Sequence, residues 1–211
     1  MLIISSRSTA AIFVFSSALA ISQCYANESP SQPAKNFDGL SVQAAVGYQP
    51  YSIRASKIGI QNTNIVLPDR IENGSSTPYF AGLTYTAAIS DRTTLAIQAE
   101  VNPINQQYVL SVLPGYAFSS DAQAYFKLAW VNALVTVNQS SMQSRLDATV
   151  NGVTAGFGIK KLFTKNWYGF AEANYVKMNT FKFESSNKGI PINGSVDYSG
   201  FNIMVGIGYL F

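Results

Sequence analysis

Hydrophobic and polar residues alternate with a period of two in several stretches of the chain, most clearly in residues 201–211. There, apolar or aromatic residues occupy every odd position, including Phe201, Ile207, Tyr209 and Phe211, with small or mixed residues between them. A period of two predicts a β-strand whose two faces meet different surroundings. We expect lipid on one face and a filled lumen on the other, the alternative being an amphipathic strand in a soluble core.

Seven further segments show the same alternation, and each has about the ten residues that a tilted strand needs to cross a bilayer. The predicted strands cover residues 37–49, 79–89, 94–102, 107–118, 123–133, 149–163, 167–178 and 201–211. Short turns at 90–93, 119–122 and 164–166 alternate with longer links at 50–78, 103–106, 134–148 and 179–197. Short periplasmic turns and longer outer links are typical of bacterial barrels, so the pattern predicts an all-β, eight-stranded antiparallel up-and-down transmembrane β-barrel.

Composition narrows the functional classes. Charged residues make up 12% of the chain and hydrophobic residues 47%, yet no apolar run reaches the ~20 residues of a membrane-spanning helix. The formal charge of +3 is small, so no nucleic-acid partner is expected. The chain has no His, which removes the usual general base and metal ligand. We therefore expect no catalytic residue, no metal site, no cofactor and no enzymatic activity.

The amino-terminal residues predict a secretory signal peptide. Arg7 precedes a short apolar core. Cys24 and Ala26 place small residues at the two positions that a signal peptidase recognises, which predicts cleavage after Ala26. A lipoprotein signal acylated at Cys24 is the alternative, although Gln23 stands where that signal needs a small residue. The predicted domains are a signal peptide (1–26), a short flexible periplasmic lead-in (27–36) and an outer-membrane β-barrel domain (37–211).

Four charged residues fall on inward faces of the predicted strands: Glu100, Lys127, Lys160 and Glu172. The lumen of a small barrel is packed with side chains, and buried charges need partners. Because Lys160 and Glu172 lie on neighbouring strands, we expect them to pair. The four residues predict a lumen polar network that holds the barrel together, the alternative being a conducting pathway.

The links at 50–78 and 179–197 carry most of the remaining charge, and they are predicted to be extracellular. Loops on a rigid scaffold often carry binding residues, so these links are a candidate site for a host or envelope ligand. The alternative is a solvated and variable surface.

Several motifs resemble the small opacity-protein/OmpA-like outer-membrane barrel superfamily, which includes Ail/OmpX-like and porin-family proteins. They are Gly156-Phe157-Gly158, Asn166-Trp167, Glu172-Ala173-Asn174-Tyr175 and the terminal Tyr209-Leu210-Phe211. The resemblance implies a monomeric barrel in the bacterial outer membrane, in contact with its lipid. It also implies that the barrel assembly machinery reads the terminal pattern of Phe201, Ile207, Tyr209 and Phe211.

The resemblance implies no single activity, since its members include adhesins, serum-resistance proteins, small porin-like proteins and membrane-stabilising proteins. Outer-membrane acyltransferases, deacylases and proteases of similar scaffold depend on His, which this chain lacks. We expect a structural, adhesin-like surface protein whose extracellular loops are available for ligand or host binding. The alternative is a small porin-like channel for ions or small solutes.

Overall fold

The computed structural model describes residues 32–60, 63, 66–104, 106–139, 144–187 and 190–211. The predicted signal peptide, with Cys24, and residues 27–31 of the predicted lead-in lie outside these ranges. Among the described residues, no helix combines the length and apolar character needed to cross a membrane.

Antiparallel strands form a closed ring. A 3₁₀ helix (Pro33–Phe37) precedes β1 (Gly39–Ile60), β2 (Arg70–Ser76), β3 (Tyr79–Ala88), β4 (Thr93–Asn102), β5 (Gln107–Ala117), β6 (Ala122–Gln139), β7 (Ser144–Leu162), β8 (Trp167–Met178), β9 (Phe181–Asn187) and β10 (Ile190–Leu210). The sheet order is β2-β1-β3-β4-β5-β6-β7-β8-β10-β9, and β1 also pairs with β10. That last pairing closes eight strands into a barrel, while β2 and β9 flank the ring, so the predicted eight-stranded barrel is confirmed.

The alternation of side chains follows the predicted faces. In β4, inward residues are buried and outward residues are exposed at each successive position. The outward face of the ring is apolar all around, and it includes the exposed side chains of Val42, Leu83, Ile97, Leu110, Leu128, Val153 and Ile203. An apolar outer face suits lipid, and closure gives every backbone group in the ring a neighbouring strand to bond to.

The outer links contain more strand than the sequence predicts. β1 runs on to Ile60, and β2 pairs with its residues Gln49–Ala55. β10 begins at Ile190, where β9 pairs with it. We call these paired parts (β1 from Gln49, β2, β9 and β10 up to Gly200) the outer sheet. β6 and β7 also continue past the predicted strand ends, whereas β4 and β5 are joined by a short link at 103–106. The strands therefore extend to different heights at the outer rim of the barrel.

The segment before β1 docks against β3, β4 and β5, whereas the sequence predicts a flexible lead-in. Pro33, Ala34 and Phe37 of the 3₁₀ helix are buried. The amide of Ala34 donates to the Asp91 carbonyl at 3.0 Å, and the side-chain amide of Asn36 donates to the Ser120 carbonyl at 2.8 Å. These bonds tie the segment to two periplasmic turns, because the turns offer carbonyls that no strand partner uses.

Candidate functional site in the barrel lumen

A buried lysine joins two buried glutamates at the centre of the barrel. Lys127 Nζ lies 2.7 Å from Glu100 Oε2 and 3.0 Å from Glu172 Oε2. The three residues come from β6, β4 and β8, and all three side chains are almost fully inaccessible to solvent. Charges in such surroundings persist when they are paired and hydrogen-bonded, and the pairs join three separate strands across the lumen.

Neutral side chains complete the hydrogen bonding of both carboxylates. Gln43 Nε2 donates to Glu100 Oε1 at 3.2 Å, and the Tyr125 hydroxyl donates to Glu172 Oε1 at 2.8 Å. Asn174 Nδ2 donates to Glu172 Oε2 at 3.2 Å. Every carboxylate oxygen therefore has a donor, which is the condition for keeping a charged group in a low-dielectric interior. The period of two predicts that Gln43, Tyr125 and Asn174 face inward, but it does not identify them as members of the network.

Small residues on β7 let the network span a strand. Lys127 lies opposite Gly156, and Glu172 lies opposite Gly158. A Cβ added at Gly158 would lie 2.6 Å from the Tyr125 hydroxyl oxygen, so the Tyr125 ring occupies the space above this glycine. The missing side chains give residues of β6 room to reach across β7 to Glu172 on β8.

Lys160 lies apart from the other three predicted network residues. Its Nζ lies 4.5 Å from the centroid of the Tyr168 ring, and among the described residues its contacts include no ion pair with Glu172. The predicted pairing of these two residues is therefore wrong. Lys160 is in register with Phe170, which lies two positions closer to the periplasm than Glu172. The Glu172 carboxylate forms its ion pair with Lys127 instead. The Tyr168 hydroxyl links this level to the network, since it lies 3.1 Å from Gln43 Oε1.

Apolar side chains pack around the network in the lumen. Val109 and Val131 are buried there on β5 and β6, and Val150, Met178 and Met204 continue the cluster around the ring. On the periplasmic side, Phe37 packs with Ala117 beneath the barrel. The polar network is thus surrounded by packed side chains, and it attaches strands to one another across the lumen. Among the described residues, no three His, Cys, Asp or Glu side chains lie close enough to hold a metal ion.

The outer sheet presents aromatic and charged side chains above the apolar band. The rings of Tyr51 and Tyr198 stack with their centroids 5.5 Å apart, and Gln49 Nε2 donates to the Tyr198 hydroxyl at 2.9 Å. Arg54 pairs with Asp69 at 2.6 Å on the exposed side of the sheet. Much of the predicted outer links therefore forms a sheet rather than an irregular loop.

The four predicted residues of the membrane-assembly terminus lie on the lipid-facing side of β10 or just after it. Phe201, Ile207 and Phe211 are exposed. The Tyr209 ring packs edge-on against Trp167 and against Phe211, with centroids 5.2 Å apart in each pair. Recognition of this terminus by the assembly machinery stays a prediction.

Comparison with known proteins gives structural matches. No protein-family model and no curated protein matches the sequence. The outer membrane protein OprG from Pseudomonas aeruginosa is similar with a TM-score of 0.56 and 13% identity, over 87% of this chain and 99% of that chain. Ail, the attachment invasion locus protein of Yersinia pestis, matches with a TM-score of 0.45 and 12% identity, over 82% of this chain and 99% of that chain.

The outer membrane protease OmpT from Escherichia coli also matches, with a TM-score of 0.49 and 7% identity, over 82% of this chain and 97% of that chain. At such identities the likeness concerns the fold. It is consistent with the resemblance to small opacity-protein/OmpA-like barrels. The chain has the fold of a small bacterial outer-membrane β-barrel.

Proposed function

We propose that this chain is an outer-membrane surface protein whose packed barrel is a scaffold and whose outer sheet binds a host or envelope ligand. The observation that carries the proposal is the filled lumen, in which Lys127 is buried between Glu100 and Glu172 at 2.7 and 3.0 Å. A barrel closed in this way has its accessible polar surface at its ends. The extracellular end is the larger of the two, because β1 and β10 extend into the outer sheet.

A small porin-like channel is the second candidate, and polar residues in the lumen favour it. A conducting path would need to pass the network, the apolar layer around Val131 and the 3₁₀ helix that carries Phe37. Planar-bilayer recordings of the refolded full chain separate the two functions. We expect no reproducible channels, and stable single-channel steps that change in size in a Lys127→Ala variant would instead support the channel.

The surface function is tested by shortening the outer sheet without changing the barrel register. Gln49 pairs with Ser76, and Lys177 pairs with Ser199. Replacing residues 50–75 and 179–197 by Asn-Gly therefore leaves two in-register hairpins with the two-residue turn that this dipeptide favours. The shortened variant should still show heat-modifiable migration in gel electrophoresis.

Attachment is then measured with bacteria that express either form, on cultured epithelial cells and on immobilised matrix proteins. We expect the full chain to support attachment and the shortened variant to lose it. If the shortened variant folds and attaches as well as the full chain, or if the full chain supports no attachment above empty-vector cells, the surface-binding proposal is wrong. The matched control is Arg54→Ala, which keeps the outer sheet and removes only the exposed ion pair between Arg54 and Asp69.

A further inference from the structure

One wall of the lumen contains buried polar atoms without a protein partner. Thr84 Oγ1, Gln98 Oε1 and Ser111 Oγ are buried, and among the described residues none supplies a hydrogen bond to them. The three side chains are 2%, 2% and 1% exposed. Most buried polar groups in proteins are hydrogen-bonded, so three such atoms in one region need an explanation.

The strand register brings the three residues into one row. Thr84 of β3 lies directly opposite Gln98 of β4, and Gln98 lies directly opposite Ser111 of β5. Opposed side chains on antiparallel strands have Cβ atoms about 5 Å apart. A water oxygen that makes hydrogen bonds of about 2.8 Å can therefore bridge polar atoms of neighbouring members of the row.

The neighbour of this row on β6 is a small residue. Ser111 lies opposite Ala129 of β6, whose methyl group is small for a lumen position. The backbone carbonyl of Thr84 accepts a hydrogen bond from Ser41 Oγ at 3.4 Å. The Thr84 hydroxyl has no hydrogen-bond partner among the described residues. Buried waters typically bind polar groups that lack a protein partner, and all three atoms of the row are of this kind among the described residues.

We infer that Thr84, Gln98 and Ser111 form an internal binding site for ordered water in the β3–β5 wall of the barrel. The ligand is neutral because the site is neutral: two hydroxyls can donate or accept, and one amide oxygen accepts. The nearest carboxylate on β4, Glu100, already has Gln43 on one oxygen and Lys127 on the other. No carboxylate oxygen is thus left over to balance a bound cation. This inference is independent of the proposed ligand binding at the outer sheet.

Nuclear magnetic resonance of the full chain in lipid nanodiscs tests the site directly. With Thr and Val methyl groups labelled in a deuterated background, the Thr84 methyl should show a cross-peak to water with the sign of a long-lived bound molecule. The Val131 methyls, which are buried in the apolar layer, are the control and should show none. Absence of the Thr84 cross-peak overturns the inference. So does a cross-peak that disappears when sodium and potassium are replaced by a bulky organic cation, since the ligand would then be a metal ion.

Two near-isosteric substitutions give an independent readout with opposite signs for a wet and a dry row. If water bridges the row, Thr84→Val and Ser111→Ala each lower the folding equilibrium constant by about fivefold. If the row is dry, each substitution removes an unsatisfied polar atom and raises the constant, which overturns the inference.

The matched control for these variants is Ser41→Ala. The Ser41 hydroxyl has protein partners in Thr84 and Tyr168, so its removal should destabilise the barrel whether the row is wet or dry. It shows that urea unfolding in vesicles detects the loss of one lumen hydroxyl. Should a variant fail to fold, the cross-peak of the unaltered chain still decides the question.

Discussion

Replacing Lys127 by Met tests whether the charge network holds the barrel together. The substitution keeps most of the side-chain volume but removes the cation from between Glu100 and Glu172. Both carboxylates then stay in the lumen without a positive partner, although they keep their hydrogen bonds from Gln43, Tyr125 and Asn174.

The expected loss is large because two ion pairs share one lysine. Removing one partner of a buried ion pair costs about 3–5 kcal/mol, mainly because the remaining charge is uncompensated. The Lys127 pairs are short and almost fully buried, at 2.7 and 3.0 Å. We therefore expect the free energy of unfolding of Lys127→Met to fall by about 5 kcal/mol, the upper end of that range.

The measurement is urea unfolding of the protein in lipid vesicles, followed by the fluorescence of Trp130 and Trp167. Both indoles face lipid and are about half exposed in the isolated chain, so their emission should shift when the strands leave the bilayer. Gel migration with and without heating gives a second measure of the folded fraction. A loss below about 1 kcal/mol, the worth of an exposed pair, would refute the reasoning.

The control is the neutral triple variant Glu100→Gln, Lys127→Met and Glu172→Gln. It removes all three charges and keeps amide groups that can bond to Gln43 and Tyr125. Because replacing a whole buried ion group by neutral side chains is often close to neutral in stability, the triple variant should recover most of the loss. If it is as unstable as Lys127→Met, then packing around the lysine stem, rather than charge, sets the cost.

Three further substitutions probe other parts of the barrel in the same unfolding assay. Gly158→Ala should cost about 1–3 kcal/mol, because the new methyl group takes the space of the Tyr125 ring; unchanged stability would mean that the ring has another position. Phe37→Ala should cost about 3 kcal/mol, since its ring is 2% exposed under the barrel, and an undetectable change would show that the 3₁₀ helix does not dock. Arg54→Ala should change the unfolding midpoint little, because its pair with Asp69 is solvent-exposed, so a large shift would contradict the contrast with the lumen pairs.

The crossing strands could be predicted from the sequence because lipid and lumen impose opposite requirements on successive residues. Leu95, Ile97 and Ala99 alternate with Ala96, Gln98 and Glu100, and the structure follows that alternation. The outer sheet could not be predicted in the same way. Above the bilayer both faces of a strand meet water or loosely packed side chains, so residues such as those of β2 lose the hydrophobic period while the backbone pairing continues.

Three charged members of the network could be predicted, but their neutral partners and all of their contacts could not. The alternation of inward and outward positions places Glu100, Lys127 and Glu172 in the lumen. The partner of Glu172 depends in addition on how far a side chain reaches across Gly156 and Gly158 of β7. Because β7 and β8 are neighbours, the sequence favoured Lys160 as the partner of Glu172. In the structure, Lys160 lies beside the Tyr168 ring instead. The docking of residues 33–37 depends on free carbonyls at the turns, and no periodic pattern indicates those.

The uneven rim has a consequence for how a large molecule approaches the cell. β1 and β10 are tall, β6 and β7 are tall across the ring from them, and the β4–β5 link between these two parts is short. An arriving macromolecule would therefore meet the two tall parts of the rim before it reached the low part at the β4–β5 link. Neighbouring copies that turn in the membrane would present these parts at different angles.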